Sequence, residues 1–186
     1  MRKIILIKHA RPEVEANRPS GQWRLSEAGR ASCGPLAERM AVHEPAVIIA
    51  SEEPKAAETG QLLADALGRP FQTAPGLHEH ERDNVPYMPT REFISWMAVF
   101  FKKPGERVLG QESATEALGR FSGAVDAVVA AHPEGNIAIV THGTVLALFA
   151  AHRAGVDGYQ LWRRMQLPSY LVFTVPEWEL VERVEQ

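Results

Sequence analysis

Two histidines in this 186-residue chain directly follow short apolar runs, His9 in "ILIKHARPEV" and His142 in "NIAIVTHG". Lys8 precedes the first, and Arg11 stands two residues beyond it. Lys55 lies in a third segment of the same kind, "ASEEPKAAET", which follows "AVII". An imidazole set among cations resists protonation, because each positive neighbour disfavours a further positive charge. Such a ring stays neutral at neutral pH and keeps a lone pair on one nitrogen. Cations and imidazoles gathered together suit a phosphate. Taken singly, each residue also has a plain structural reading: a satisfied histidine at a strand end, or a solvated surface lysine.

The elements that must position these residues alternate. "KIILIK" predicts a buried strand, short, β-branched and ended by polar residues. Residues 10–24, with Pro12, Pro19 and Gly21, predict a loop. A helix is expected from the N-cap Ser26, broken or kinked at Gly34-Pro35. "AVIIA" (46–50) predicts a second strand, 53–67 a helix ended by Gly68, and "FQTA" a short third strand. Helices are expected at 90–101 and 112–132, then the strand "NIAIVT" and the helix "GTVLALFAAHRAG". "YLVFTV" and "WELVERV" predict a terminal antiparallel hairpin at one sheet edge. The whole reads as one α/β domain over 1–186, three layers (α/β/α) around a mostly parallel central sheet. His9, Lys55 and His142 with Gly143 then fall at strand-to-helix junctions. In open α/β sheets that edge binds ligands, and helix N-termini there attract anions.

Composition narrows the class. The chain is 45% hydrophobic and 23% charged, and its net charge of −3 lacks the basic excess of nucleic-acid or membrane-surface binders. No apolar run approaches the roughly 18 residues of a membrane span, and the N-terminus does not read as a secretory signal. One cysteine, Cys33, excludes an internal disulfide and favours a reducing compartment. The expectation is a cytoplasmic protein with a small phosphorylated ligand, no nucleic acid or membrane partner and no cofactor. A homodimer is left open.

Six segments, in order, resemble the histidine phosphatase superfamily, the phosphoglycerate mutase-like fold. They are "LIKHARP", "LSEAGR", "ASEEPKAAET", "LHEHER", "GQESATEALGRF" and "IVTHG", together spanning residues 3 to about 150. The resemblance implies that His9 is the nucleophile, forming a phosphohistidine, and that His142 contacts the transferred phosphoryl oxygens. It implies Glu79 as the general acid protonating the leaving group, with Glu81 as the alternative because "HEHE" leaves the register ambiguous. That acid needs a raised pKa, which burial under the "FISWMAVFF" segment could provide. No metal is required. Lys8, Arg11, Lys55 and Gly143 would bind the phosphate.

Three departures stand out. Lys8 and Lys55 replace hallmark arginines, and Ala10 replaces the glycine after the first histidine. Lysine keeps the charge but lacks the rigid fork that grips two phosphate oxygens. Arg11 is expected to supply the missing fork, and a slow phosphatase is the expected activity. Two other functions stay open: a phosphoglycerate-type mutase, although the stretch between Ala57 and Glu112 lacks a mutase-sized insertion, and a phospho-ligand-binding relative without turnover. The segment 78–81 also reads as a plain polar loop or a metal site. Trp96, Phe100 and Phe101 read as core, lid or substrate-pocket lining.

Overall fold

The structure, a computed structural model, describes residues 1–185. Six strands form one sheet: β1 (Arg2–Lys8), β2 (Pro45–Ser51), β3 (Phe71–Ala74), β4 (Asn136–Thr141), β5 (Ser169–Val175) and β6 (Leu180–Val184). Their order is β3-β2-β4-β1-β5-β6. β1, β2, β3 and β4 pair in parallel, whereas β5 is antiparallel to both β1 and β6. The expected terminal hairpin therefore forms one edge of a mostly parallel sheet.

Helices cover both faces. Ile4 and Leu6 of β1 join one core with Phe121 of α4 (Ala114–Ala131) and Phe149 of α5 (Gly143–Ala154). Ile5 and Ile7 face the other way, against Leu36 of α1 (Glu27–Met40) and Leu63 of α2 (Pro54–Leu67). A strand with both faces covered must be apolar at every position, and Ile4 to Ile7 are all fully buried. α3 (Thr90–Lys102) adds Met97 and Phe100 to the first core, and α6 (Gly158–Arg164), which the sequence reading lacks, adds Leu161. Phe100 and Phe101 are packing residues: Phe101 contacts Phe100, Tyr159 and Trp162 edge-on or tilted, whereas Trp96 is 42% exposed.

The break expected at Gly34-Pro35 does not form: α1 runs continuously through Pro35. A proline also crowds the Cβ of the residue before it, and that residue is Gly34, which has none and has open space around it. The carbonyl deprived of its helical partner belongs to Ala31, which is exposed to water.

Candidate active site

β1 and β4 are paired in register, with Lys8 opposite Thr141, so their next residues leave the sheet side by side. The His9 N–H donates to the Thr141 carbonyl at 3.0 Å. The two imidazoles consequently meet, ring centres 5.1 Å apart and planes at 62°. His9 Nδ1 lies 2.7 Å from the Ala10 carbonyl, which can only accept, so Nδ1 carries the proton. Nε2 is left with the lone pair. Burial first, then the nearby Lys55 charge, hold the His9 pKa well below its ordinary value. The residue after it is fixed as well, because the Ala10 N–H donates to Thr59 Oγ1 on α2, which donates in turn to the Lys55 carbonyl.

His142 caps α5 and is fully buried, with Nε2 2.9 Å from Ser51 Oγ at the end of β2. Its Nδ1 has no hydrogen-bond partner among the described residues. Burial and the Lys55 charge keep this imidazole neutral too. Gly143 follows, and a Cβ there would lie 3.0 Å from Lys8 Cε. Lys8 is thus packed behind the first turn of α5, its ammonium donating to the Met165 carbonyl at 2.9 Å. Burial lowers its pKa to about 8, against the pull of Glu79. Lys55, 4% exposed, donates to the Ser20 carbonyl at 2.6 Å and is ion-paired with Glu53.

The geometry separates the two candidate acids. Glu79 lies over the N-terminus of α5: its carboxylate accepts from the N–H groups of His80 at 2.9 Å, Thr144 at 3.2 Å and Val145 at 3.3 Å. Thr141 Oγ1 donates to the Leu77 carbonyl at 2.8 Å and so ties this loop to β4. Glu81 is instead half exposed and paired with His78 at 3.2 Å. The raised pKa expected of Glu79 is corrected. Burial does push it upward, but the Arg82 charge and the N–H groups of His80 and Thr144 outweigh burial and bring it down to about 2. The four residues 78–81 do not converge either: His80 is buried against Phe100, its Nε2 2.9 Å from the Glu112 carbonyl. Among the described residues no group of three or more His, Cys, Asp or Glu is placed to hold a metal ion.

Arg11 is exposed, and among the described residues its side chain makes no hydrogen bond, while its carbonyl accepts from Ser26. Arg82 brings a guanidinium to the histidines. It stacks on Phe93 at 5.1 Å, lies 3.9 Å from Glu79 and acts electrostatically on His142. Its Nη1 is buried without a hydrogen-bond partner among the described residues. Glu53 was missed too. Its carboxylate accepts from the Glu79 N–H at 2.9 Å, pairs with Lys55 and approaches His142 Nε2 to 3.7 Å. Both residues stand within three positions of a candidate, on loops at the same sheet edge, which is the one signal that could have found them. Between loops 16–19 and 83–87, beside Ser20 and Arg82, a cleft of about 370 Å³ is lined by Asn17, Arg18, Asp83, Asn84 and Tyr87, among others.

A family model described as histidine phosphatase superfamily (branch 1) matches residues 4–181. Among curated proteins no match is found. Among solved structures, a mycobacterial glucosyl-3-phosphoglycerate phosphatase complexed with VO3 is similar with a TM-score of 0.80 at 18% identity, covering 100% of this chain and 99% of its own. Bacillus stearothermophilus YhfR gives 0.78 at 22%, covering 100% and 96%. An Entamoeba histolytica phosphoserine phosphatase mutant complexed with phosphoserine gives 0.80 at 14%, covering 99% and 97%. No helix of the described residues is long and apolar enough to cross a membrane.

Proposed function

Because this chain belongs to the histidine phosphatase superfamily (branch 1), we propose that it hydrolyses a small polar phosphomonoester through a phosphohistidine on His9. One observation carries this reading: the Nδ1 bond to Ala10 leaves Nε2 of a neutral, buried imidazole as the free ring nitrogen beside His142. In the first step the Nε2 lone pair attacks phosphorus and the bond to the leaving oxygen breaks. Lys55, His142 and Arg82 stabilise the charge on the phosphoryl oxygens. The leaving oxygen takes a proton carried by Glu79.

That carboxyl is anionic before substrate binds. A phosphomonoester has a second pKa of about 6, so its monoanion can bring the proton with it. The phosphate charge then raises the proton affinity of the neighbouring carboxylate. In the second step Glu79, left as carboxylate, takes a proton from water as the water oxygen attacks phosphorus. The P–N bond breaks and neutral His9 is restored. The cleft at 16–19 and 83–87 is lined by Ala16, Pro19, Val85 and Pro86 as well, but its polar residues, Asn17, Arg18, Asp83 and Asn84, offer partners for a hydroxylated or amino-bearing leaving group. The names of two structural neighbours, which act on a glucosyl phosphoglycerate and on phosphoserine, support the same class.

A second reading, a phospho-ligand-binding protein without turnover, is favoured by the engagement of both lysines, Lys8 with Met165 and Lys55 with Glu53. Wild type and His9→Ala compared on an aryl phosphate decide between them. Turnover in wild type alone supports the phosphatase. Equal background rates with retained phosphate binding support the binder.

A further inference from the structure

The Glu53 carboxylate has no place in the chemistry above, yet it is bonded to the groups that chemistry needs. One oxygen pairs with Lys55, and the other accepts from the Glu79 N–H at 2.9 Å and lies 3.7 Å from His142 Nε2. An ammonium and a backbone N–H bonded to one planar anion, with an imidazole close by, are groups of the kind that surround a phosphoryl group. The residue N-caps α2, but its side chain makes no capping bond to that helix. It is turned instead to the histidines. Its side chain is 14% exposed, against 5% for Lys55, so the carboxylate sits at the solvent side of the pair and has a way out.

We infer that Glu53 is a built-in anion that occupies part of the phosphate site and competes with phosphate for Lys55. The inference rests on the phosphatase reading for the identity of the site. Binding requires Glu53 to swing toward solvent, giving up its bond to Lys55. The residue therefore sets how weakly the pocket holds a bare phosphate. A monoester with further contacts in the neighbouring polar cleft can offset that penalty, whereas inorganic phosphate cannot. Glu53 is in this sense a specificity-determining residue, selecting against free phosphate and easing release of the product.

The alternative role, holding Lys55 in position for the ligand, has the opposite sign in one experiment. Inorganic phosphate and vanadate are titrated against wild type, Glu53→Gln and Glu53→Ala by calorimetry, and as inhibitors of aryl phosphate hydrolysis. Competition predicts that both variants bind phosphate about tenfold or more tighter, the size of one lost charge-assisted contact, with KM for the aryl phosphate falling in parallel. Glu53→Gln keeps the shape and one acceptor, so it remains informative if Glu53→Ala is unstable. Phosphate affinity unchanged or weakened in Glu53→Gln overturns the inference while leaving the phosphatase reading standing. Tighter phosphate in the variants of a protein that shows no turnover keeps the inference and overturns the phosphatase. Absence of phosphate binding in all three proteins overturns it as well.

Discussion

His9 Nε2 and the Glu79 carboxyl divide the pH dependence between them. His9 is held well below its ordinary pKa, chiefly by burial, so protonation of the nucleophile does not limit the rate near neutrality. The acid limb of kcat/KM should fall well below pH 6.5. For alkyl phosphates the rate should decline above about pH 6, where the monoanion that delivers the proton disappears. A pH–rate profile that rises through pH 6.5 to a plateau would contradict this. Glu79→Gln should slow alkyl phosphates far more than aryl phosphates, whose leaving groups need no proton; equal losses would remove Glu79 from proton transfer. Arg82→Ala should lower kcat/KM by about 10- to 100-fold, one charge-assisted bond of roughly 1.5–3 kcal/mol, with Arg82→Lys recovering part of it. Retention of full activity in Arg82→Ala would show that its guanidinium stays with Glu79 and Phe93 alone. At this scale the histidines and lysines were legible because each follows an apolar strand in a recognisable segment. Arg82 and Glu53 were not, because their loops place them through tertiary bonds.

Three elements assemble the pocket, and the pairing of β1 with β4 does most of it. Lys8 opposite Thr141 fixes His9 and His142 as neighbours, and α2 then secures Ala10 through Thr59. The strands were readable as unbroken apolar runs, although their adjacency was not, since nothing in either run names its partner. The helix starting at Ser26 was readable from its cap, and Ser26 Oγ does accept from the Gly29 N–H at 3.1 Å. Its continuity past Pro35 was hidden, because an interior proline removes a helical hydrogen bond and usually ends the helix. α6 carries only seven residues, too few for a helical period to show. Gly29 ties this helix to the loop after His9: a Cβ there would sit 2.1 Å from the Arg11 carbonyl oxygen. Backbone cannot give way as a side chain tip can. Gly29→Ala should therefore lower stability by about 1–3 kcal/mol, seen as a lower denaturation midpoint, and weaken phosphate affinity as the loop shifts. An unchanged midpoint would show that the approach relaxes freely.

Across the whole molecule, burying two neutral imidazoles and an anionic carboxylate ties the fold to pH. The His9 and His142 pKa values are depressed in the folded state, so the unfolded chain takes up protons first as pH falls. Stability present above pH 6.5 should decline below it. Glu79 is likewise depressed, from 4.5 to about 2. Its contribution is complete above pH 4.5 and is lost toward pH 2, about 3 kcal/mol at 1.36 kcal/mol per unit. Urea midpoints measured from pH 8 to 3 should show both declines, with the lower one missing in Glu79→Gln; midpoints flat between pH 7 and 5 would contradict the buried neutral histidines. All these charges serve one nitrogen, and it can be examined directly. Wild-type protein is mixed with an aryl phosphate, quenched with base within a turnover, digested and weighed by mass spectrometry. The peptide bearing His9 should carry one acid-labile phosphoryl group that appears and decays with turnover and is absent from His9→Ala. Steady hydrolysis by wild type, abolished in His9→Ala, with no phosphoryl group on that peptide at any time would contradict the phosphohistidine.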